Sequence, residues 1–263
     1  MMNISRNHKS LILGLVAGLV SASLGIGAGT VIVPALVILM HYDIKKAIGT
    51  SLATIAPTAL AGALAHYFIN HVNIDLIMVV FMAAGSIIGA KVGAFIASRI
   101  HGKALKILFA ALLLFVGLKM AGVLNIPTEP VANISAYPVL TVLGFVAGLA
   151  SALFGIGGGV VIVPVLNLFF GMPIHAAIPA SLAVIFPTAL AGTLFHKRFN
   201  NIDLSAIKFM VPASLAGAVT GAVIAYALPS AALKLMFGIL MILSAVRLFL
   251  PVQNRLTKDK VVL

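Results

Sequence analysis

The chain has 263 residues, of which 62% are hydrophobic and only 8% charged; 17 Lys and Arg stand against 5 Asp and Glu, a net charge of +12, and there is no cysteine. Soluble domains average roughly 45–50% apolar and about 25% charged residues, so a soluble globular fold is excluded, and without Cys so are disulfide frameworks, Cys-ligated metals and thiol chemistry. In a chain this apolar the basic excess is a topology signal before it is a sign of nucleic acid, which is not expected as a partner.

Arg6 and Lys9 precede an apolar run ending in Ser21-Ala22-Ser23, an imitation of a cleavable signal peptide. The same run recurs internally near 141–153, so it belongs to the fold. The first apolar segment, Leu11–Met40, would make a helix of about 45 Å against a hydrocarbon core of about 30 Å, and would need a tilt of about 48° where roughly 0–40° is usual. Its middle, Gly25–Thr30, is rich in glycine, which costs a helix interior about 1 kcal/mol per residue relative to Ala. The pieces on either side, about 21 and 16 Å long, are too short to cross. A re-entrant helix–break–helix hairpin follows, with new helices expected from about Val31 and, in the second half, Val161.

Ile48–Phe68, Leu76–Ser98 and Ala104–Val123 each have the length of one crossing. After a short Pro-containing linker the pattern returns: a second over-long segment broken at Gly155–Val160, then crossings at Ala177–Phe195, Leu204–Leu228 and Ala231–Leu250. Gly14–His66 aligns without gaps on Gly144–His196, with more than half of the positions identical. A two-residue contraction then pairs Asn73-Ile74-Asp75-Leu76 with Asn201-Ile202-Asp203-Leu204. The expected organisation is one integral membrane unit: a first repeat over 1–125, a linker over 126–135 and a second repeat over 136–263.

The basic residues choose between two topologies. If the first segment of each half crosses once, nine (Arg6, Lys9, Lys119, Lys197, Arg198, Arg247, Arg255, Lys258, Lys260) face one side and six (Lys45, Lys46, Arg99, Lys103, Lys106, Lys234) the other. If both are hairpins, only Lys119 and Lys234 oppose all the rest, which obeys the positive-inside rule far better. Each half then has three crossings, so the halves are inverted repeats, a transporter architecture with its site at the repeat interface. Both termini are cytoplasmic in either arrangement. The expected fold is an all-α polytopic membrane protein of two inverted halves, each a glycine-broken first segment plus three transmembrane helices.

The breaks are the leading candidates for a site. Gly25, Gly27, Gly29 and Thr30, with Gly155, Gly157, Gly158 and Gly159, lead into helix starts whose amides lack intrahelical partners and attract anions without a buried cation. The alternative is that these glycines only allow close packing. Pro57 and Pro187, near the centres of their spans, each free a carbonyl and are candidate hinges. Ser51, Thr54, Thr58, Ser181 and Thr188 add hydroxyls nearby, either for substrate or bonded to their own helices. His66 and His196 occupy equivalent positions at span ends and are candidates for proton coupling or for anchoring. Lys91, an intramembrane cation, is a candidate anion contact or a snorkelling residue. No zincin, nucleophile-elbow or P-loop motif occurs, and five acidic residues in all argue against a carboxylate dyad or a carboxylate metal site. No enzyme, metal or cofactor is expected.

The duplicated Gly-Ile-Gly-x-Gly, the Val-Ile-Val-Pro after it, Gly49-Thr50-Ser51-Leu52 with Pro179-Ala180-Ser181-Leu182, and the His66/His196 pair together resemble the sulfite exporter TauE/SafE family, also described as the 4-toluene sulfonate uptake permease family. The resemblance covers residues 10–250. It implies an inner-membrane carrier for sulfite, sulfonates or related organosulfur anions, with export as the expected direction and protons or Na+ as candidate coupling ions. Ala28 stands where the second half has Gly158, so the two breaks are not expected to bind equivalently. Transport of another small anion or metabolite, and a non-transporting scaffold, are the alternative readings.

Overall fold

The computed structural model describes residues 2–99, 103–124 and 137–249; the linker and the basic residues Arg255, Lys258 and Lys260 lie outside them. The described residues form ten helices: α1 (Met2–Leu24), α2 (Gly29–Leu39), α3 (Ile44–Phe68), α4 (Leu76–Arg99), α5 (Lys103–Met120), α6 (Tyr137–Phe154), α7 (Gly159–Pro164), α8 (Ile174–Arg198), α9 (Leu204–Ala227) and α10 (Ser230–Phe249). A π-helical turn over Val165–Phe169 continues α7, starting directly after Pro164, whose missing N–H disrupts the regular ladder.

The two over-long segments are hairpins. Arg6, near the start of α1, bonds Tyr42, just beyond α2, so the chain returns to the end it left. The hairpins are more lopsided than their sequence suggests. α1 begins upstream of the apolar run, and its stretch Arg6–Leu24 is long and apolar enough to cross alone; α6 is likewise, whereas α2 and the continued α7 are short. The new helices start at Gly29 and Gly159, two residues earlier than expected, because the amides of both Val31 and Ile32 already bond Ala28 O, and those of Val161 and Ile162 bond Gly158 O.

Helix directions establish the inversion. α3 starts at the Arg6 end, where the Thr50 hydroxyl accepts a bond from the Asp203 amide. α8 ends there, with the His196 side chain against Gly49. The equivalent central helices α3 and α8 therefore run antiparallel and pack on each other. The outer pairs exchange between halves, α1 with α9 and α6 with α4, and α5 pairs with α10. Lipid removes the hydrophobic drive for helix pairing, so close packing of small residues has to replace it. A Cβ on Gly18 would lie 2.1 Å from Ser214 O, and one on Gly148 would lie 1.9 Å from Ser86 O. The glycines at 14, 18, 217 and 221, and those at 85, 89, 93, 144 and 148, are thus the contact surfaces of these two parallel pairs.

Candidate functional site

The two hairpin breaks meet at the centre of this inverted frame. A Cβ on Gly27 would stand 3.4 Å from the Cα of Gly157 and 3.1 Å from Ile156 O, and Gly157 meets Gly27 reciprocally. Both residues have positive φ, +79° and +86°, a region that side chains with a Cβ rarely enter. The helix starts are equally tight: Gly29 lies against Gly155 O and Gly159 against Gly25 O. Ile55 of α3 and Ile185 of α8, each two residues before the half-buried Pro57 and Pro187, flank the crossing.

The carbonyls of Gly25 and Gly155 are engaged, accepting from Ser181 (2.8 Å) and Ser51 (3.5 Å). Among the described residues, no backbone carbonyl accepts from the amides of residues 26–30 or 156–160. Buried backbone groups at membrane depth need partners, and the crossing gathers these unbonded amides beside the carbonyls of Ile26, Gly27, Ile156 and Gly157, which accept no backbone bond either. Chemically, it can hold an anion.

The hydroxyls take varied places. Thr54 bonds the carbonyl of Thr50 in its own helix. Thr58 bonds Thr54 O at 2.7 Å and also pairs with Ser214 of α9 at 2.6 Å. Thr188 bonds Val184 O and pairs with Ser86 of α4. Ser86 and Ser214 are themselves repeat equivalents, so two matched bonds tie each central helix to a neighbour; only their identity under the repeat could have flagged them. Lys91 is exposed on α4, whose neighbouring Gly89 and Gly93 face α6.

His66 and His196 differ in surroundings. The His66 ring holds Ala22 O through Nε2 at 2.9 Å and accepts at Nδ1 from the Asn70 amide, which also donates to Ala222 O. This strut links α1, α3 and α9. Neither ring nitrogen of His196 has a partner, though both are buried. Asn200, the counterpart of Asn70, adopts φ +54° and is exposed where Asn70 is buried, just before the two-residue contraction. A cavity of about 290 Å³ lined by His66, Asn70, Val72, His175 and Tyr226 opens beside the strut.

The opposite end is tied shut. Asp203 accepts from Arg6 (2.6 Å) and from the Tyr42 hydroxyl (2.8 Å), and Lys46 is 3.5 Å away. Burial alone would raise the Asp203 carboxyl, but hydrogen bonds from Tyr42 and the Ala206 amide, with the charges of Lys46 and Arg6, hold it below the usual carboxylate range. Burial pushes the Tyr42 phenol up. The counterpart, Asp75, is exposed and caps α4 through the Ile77 and Met78 amides. Among the described residues no cluster of His, Asp or Glu could hold a metal.

The sequence profile of the family described as sulfite exporter TauE/SafE matches residues 2–120 and 140–262, one match per half. Among curated proteins, the chain is 32% identical to the probable membrane transporter protein YdhB of Bacillus subtilis over 85% of this chain and 90% of that protein. It is 26% identical to the probable membrane transporter protein YunE of the same organism, over 89% and 93%. A probable membrane transporter protein of Haemophilus influenzae is 30% identical over 91% and 97%. No solved structure matches. The chain belongs to the sulfite exporter TauE/SafE family of multi-pass membrane transporters.

Proposed function

We propose that the protein is a secondary transporter that moves small sulfur-containing anions, sulfite or sulfonates, across the cytoplasmic membrane by alternating access, with export as its working direction. The observation that carries this reading is the crossing of two glycine breaks between inverted halves, where unpartnered amides gather and no cation is needed. Family membership supports the substrate class. Lys45, Lys46, Lys197 and Arg198 lie near the Arg6 end with Arg6 itself, which supports a cytoplasmic placement of that end and of both termini. Pro57 and Pro187 hinge the central helices beside the crossing, while the Arg6–Tyr42–Asp203–Lys46 cluster closes the cytoplasmic end. The protein is a carrier and not an enzyme in this reading. Purified protein in liposomes is expected to take up labelled sulfite or a short alkanesulfonate and to leave chloride behind; no uptake of any anion across a broad panel rejects the proposal.

Proton coupling, if the cycle uses it, falls to His196 and not His66. Protonating His66 would put two donors, Nδ1 and the Asn70 amide, face to face. The free nitrogens of His196, in the last turn of α8, can take up a proton without breaking a hydrogen bond. His196→Gln is expected to flatten the pH dependence of sulfonate flux between about pH 5 and 8. His66→Gln should lower stability and leave the shape of that pH profile unchanged. The reverse pattern would contradict the assignment.

A further inference from the structure

The two breaks share a backbone path but not a chemistry. In the first half the residue before the helix start is Ala28, at φ −61°; in the second it is Gly158, at φ +80°. α2 runs regularly for 11 residues, whereas α7 gives way to a π turn after 6. Two hydroxyls of the first half also stand out. The Ser21 hydroxyl, on a residue with 0% exposure, has no hydrogen-bond partner, and neither has the buried Thr30 hydroxyl in the first turn of α2. Ser21 lies one helical turn before the break. Its backbone carbonyl accepts from Gly25 at the break, and its repeat equivalent Ser151 has its Cβ 3.6 Å from the place of a Cβ on Gly158, the counterpart of Ala28. A hydroxyl in a helix ordinarily bonds the carbonyl one turn back, as Thr54, Thr58 and Thr188 all do. Ser21 does not. In the second half, position 30 becomes the apolar Val160.

Resting on the transport reading above, we infer that the first half's break is the substrate subsite. The Ser21 and Thr30 hydroxyls and the leading amides of α2 hold the oxyanion, and the second half's break acts as its packing partner. No carboxylate lies on either break segment to repel an anion, so a site of this kind suits a small oxyanion such as a sulfonate. Ser51 and Ser181 are positioning residues here: they hold the Gly155 and Gly25 carbonyls instead of touching the ligand.

The test is flux into proteoliposomes with methanesulfonate as the probe, on protein that elutes as one species in detergent. Losing one hydrogen bond to a charged ligand raises KM by about tenfold or more. That rise in the KM for methanesulfonate is expected for Ser21→Ala and Thr30→Val with kcat retained. Thr30→Ser should restore the wild-type value and Ser151→Ala should leave it unchanged. If methanesulfonate is transported but Ser21→Ala and Thr30→Val match wild type, or Ser151→Ala is equally impaired, the inference falls and the transport reading stands. If no anion moves at all, the transport reading itself fails.

Discussion

Gly29→Ala is expected to abolish transport and to destabilise the protein by about 3 kcal/mol, the upper end of what an overpacked core costs. The new Cβ would lie 2.0 Å from Gly155 O and 2.9 Å from Ile156 Cα, both backbone atoms of the other half. A flexible side chain can swing away from such an intrusion, but the carbonyl of Gly155, held by Ser51 in the facing break, cannot do so without parting the two breaks. Gly159→Ala should behave alike, since its Cβ would lie 2.2 Å from Gly25 O. Gly122→Ala is the control: nothing lies within 4 Å of it, and only its positive φ adds strain of about 1–2 kcal/mol. Thermal unfolding in detergent, alongside flux, separates these outcomes. Wild-type stability with wild-type flux in Gly29→Ala would mean that the breaks do not meet as described.

Asp203→Asn is expected to loosen the Arg6 end while leaving the cap of α9 in place. An asparagine oxygen can still accept from the Ser205 and Ala206 amides. What disappears is the charge that gathers Arg6, Tyr42 and Lys46 from three segments. Arg6 and Lys46 are each nearly half exposed, so solvent screens these pairs and the network contributes about 1–2 kcal/mol in total. That corresponds to roughly a tenfold larger open population, read as faster labelling by a membrane-impermeant maleimide of a cysteine at Ala47, which is buried at this end of α3. Asp75→Asn should leave the rate unchanged. pH adds a signed check. Because the folded-state Asp203 carboxyl lies below its ordinary value, the closure is complete above the ordinary carboxylate range. It is lost as pH falls through the depressed value. Labelling normalised to the intrinsic thiol reactivity at each pH should therefore accelerate in acid with Asp203 intact and vary little with pH in Asp203→Asn.

Much of this architecture was legible because duplication exposes it. An over-long segment broken by glycine, seen once, has several explanations. Seen twice with basic residues partitioned as here, it forces hairpins and inversion. The breaks themselves were legible too, since Gly25, Gly27, Gly155 and Gly157 recur in register. What the sequence hid were pairings between halves and departures from the repeat. Nothing local joins Arg6 to Asp203, and Ser21 looks like any small residue in an apolar helix until its hydroxyl is found without a partner. The length of α1 was missed because polar residues from Arg6 to Ser10 extend the helix past the hydrophobic run. The divergence of His66 and His196 coincides with the two-residue contraction after α8. Reading it required knowing that Asn70 completes the His66 strut.

Counterflow tests the central claim most directly. Proteoliposomes preloaded with unlabelled methanesulfonate are diluted into a trace of labelled methanesulfonate, and internal label is followed with time. An alternating-access carrier with one anion site returns loaded, so label should rise above its equilibrium level and then decay, and Gly29→Ala should remove the overshoot. Entry that only approaches equilibrium, or no entry at all, would contradict a carrier built on the crossed glycine breaks.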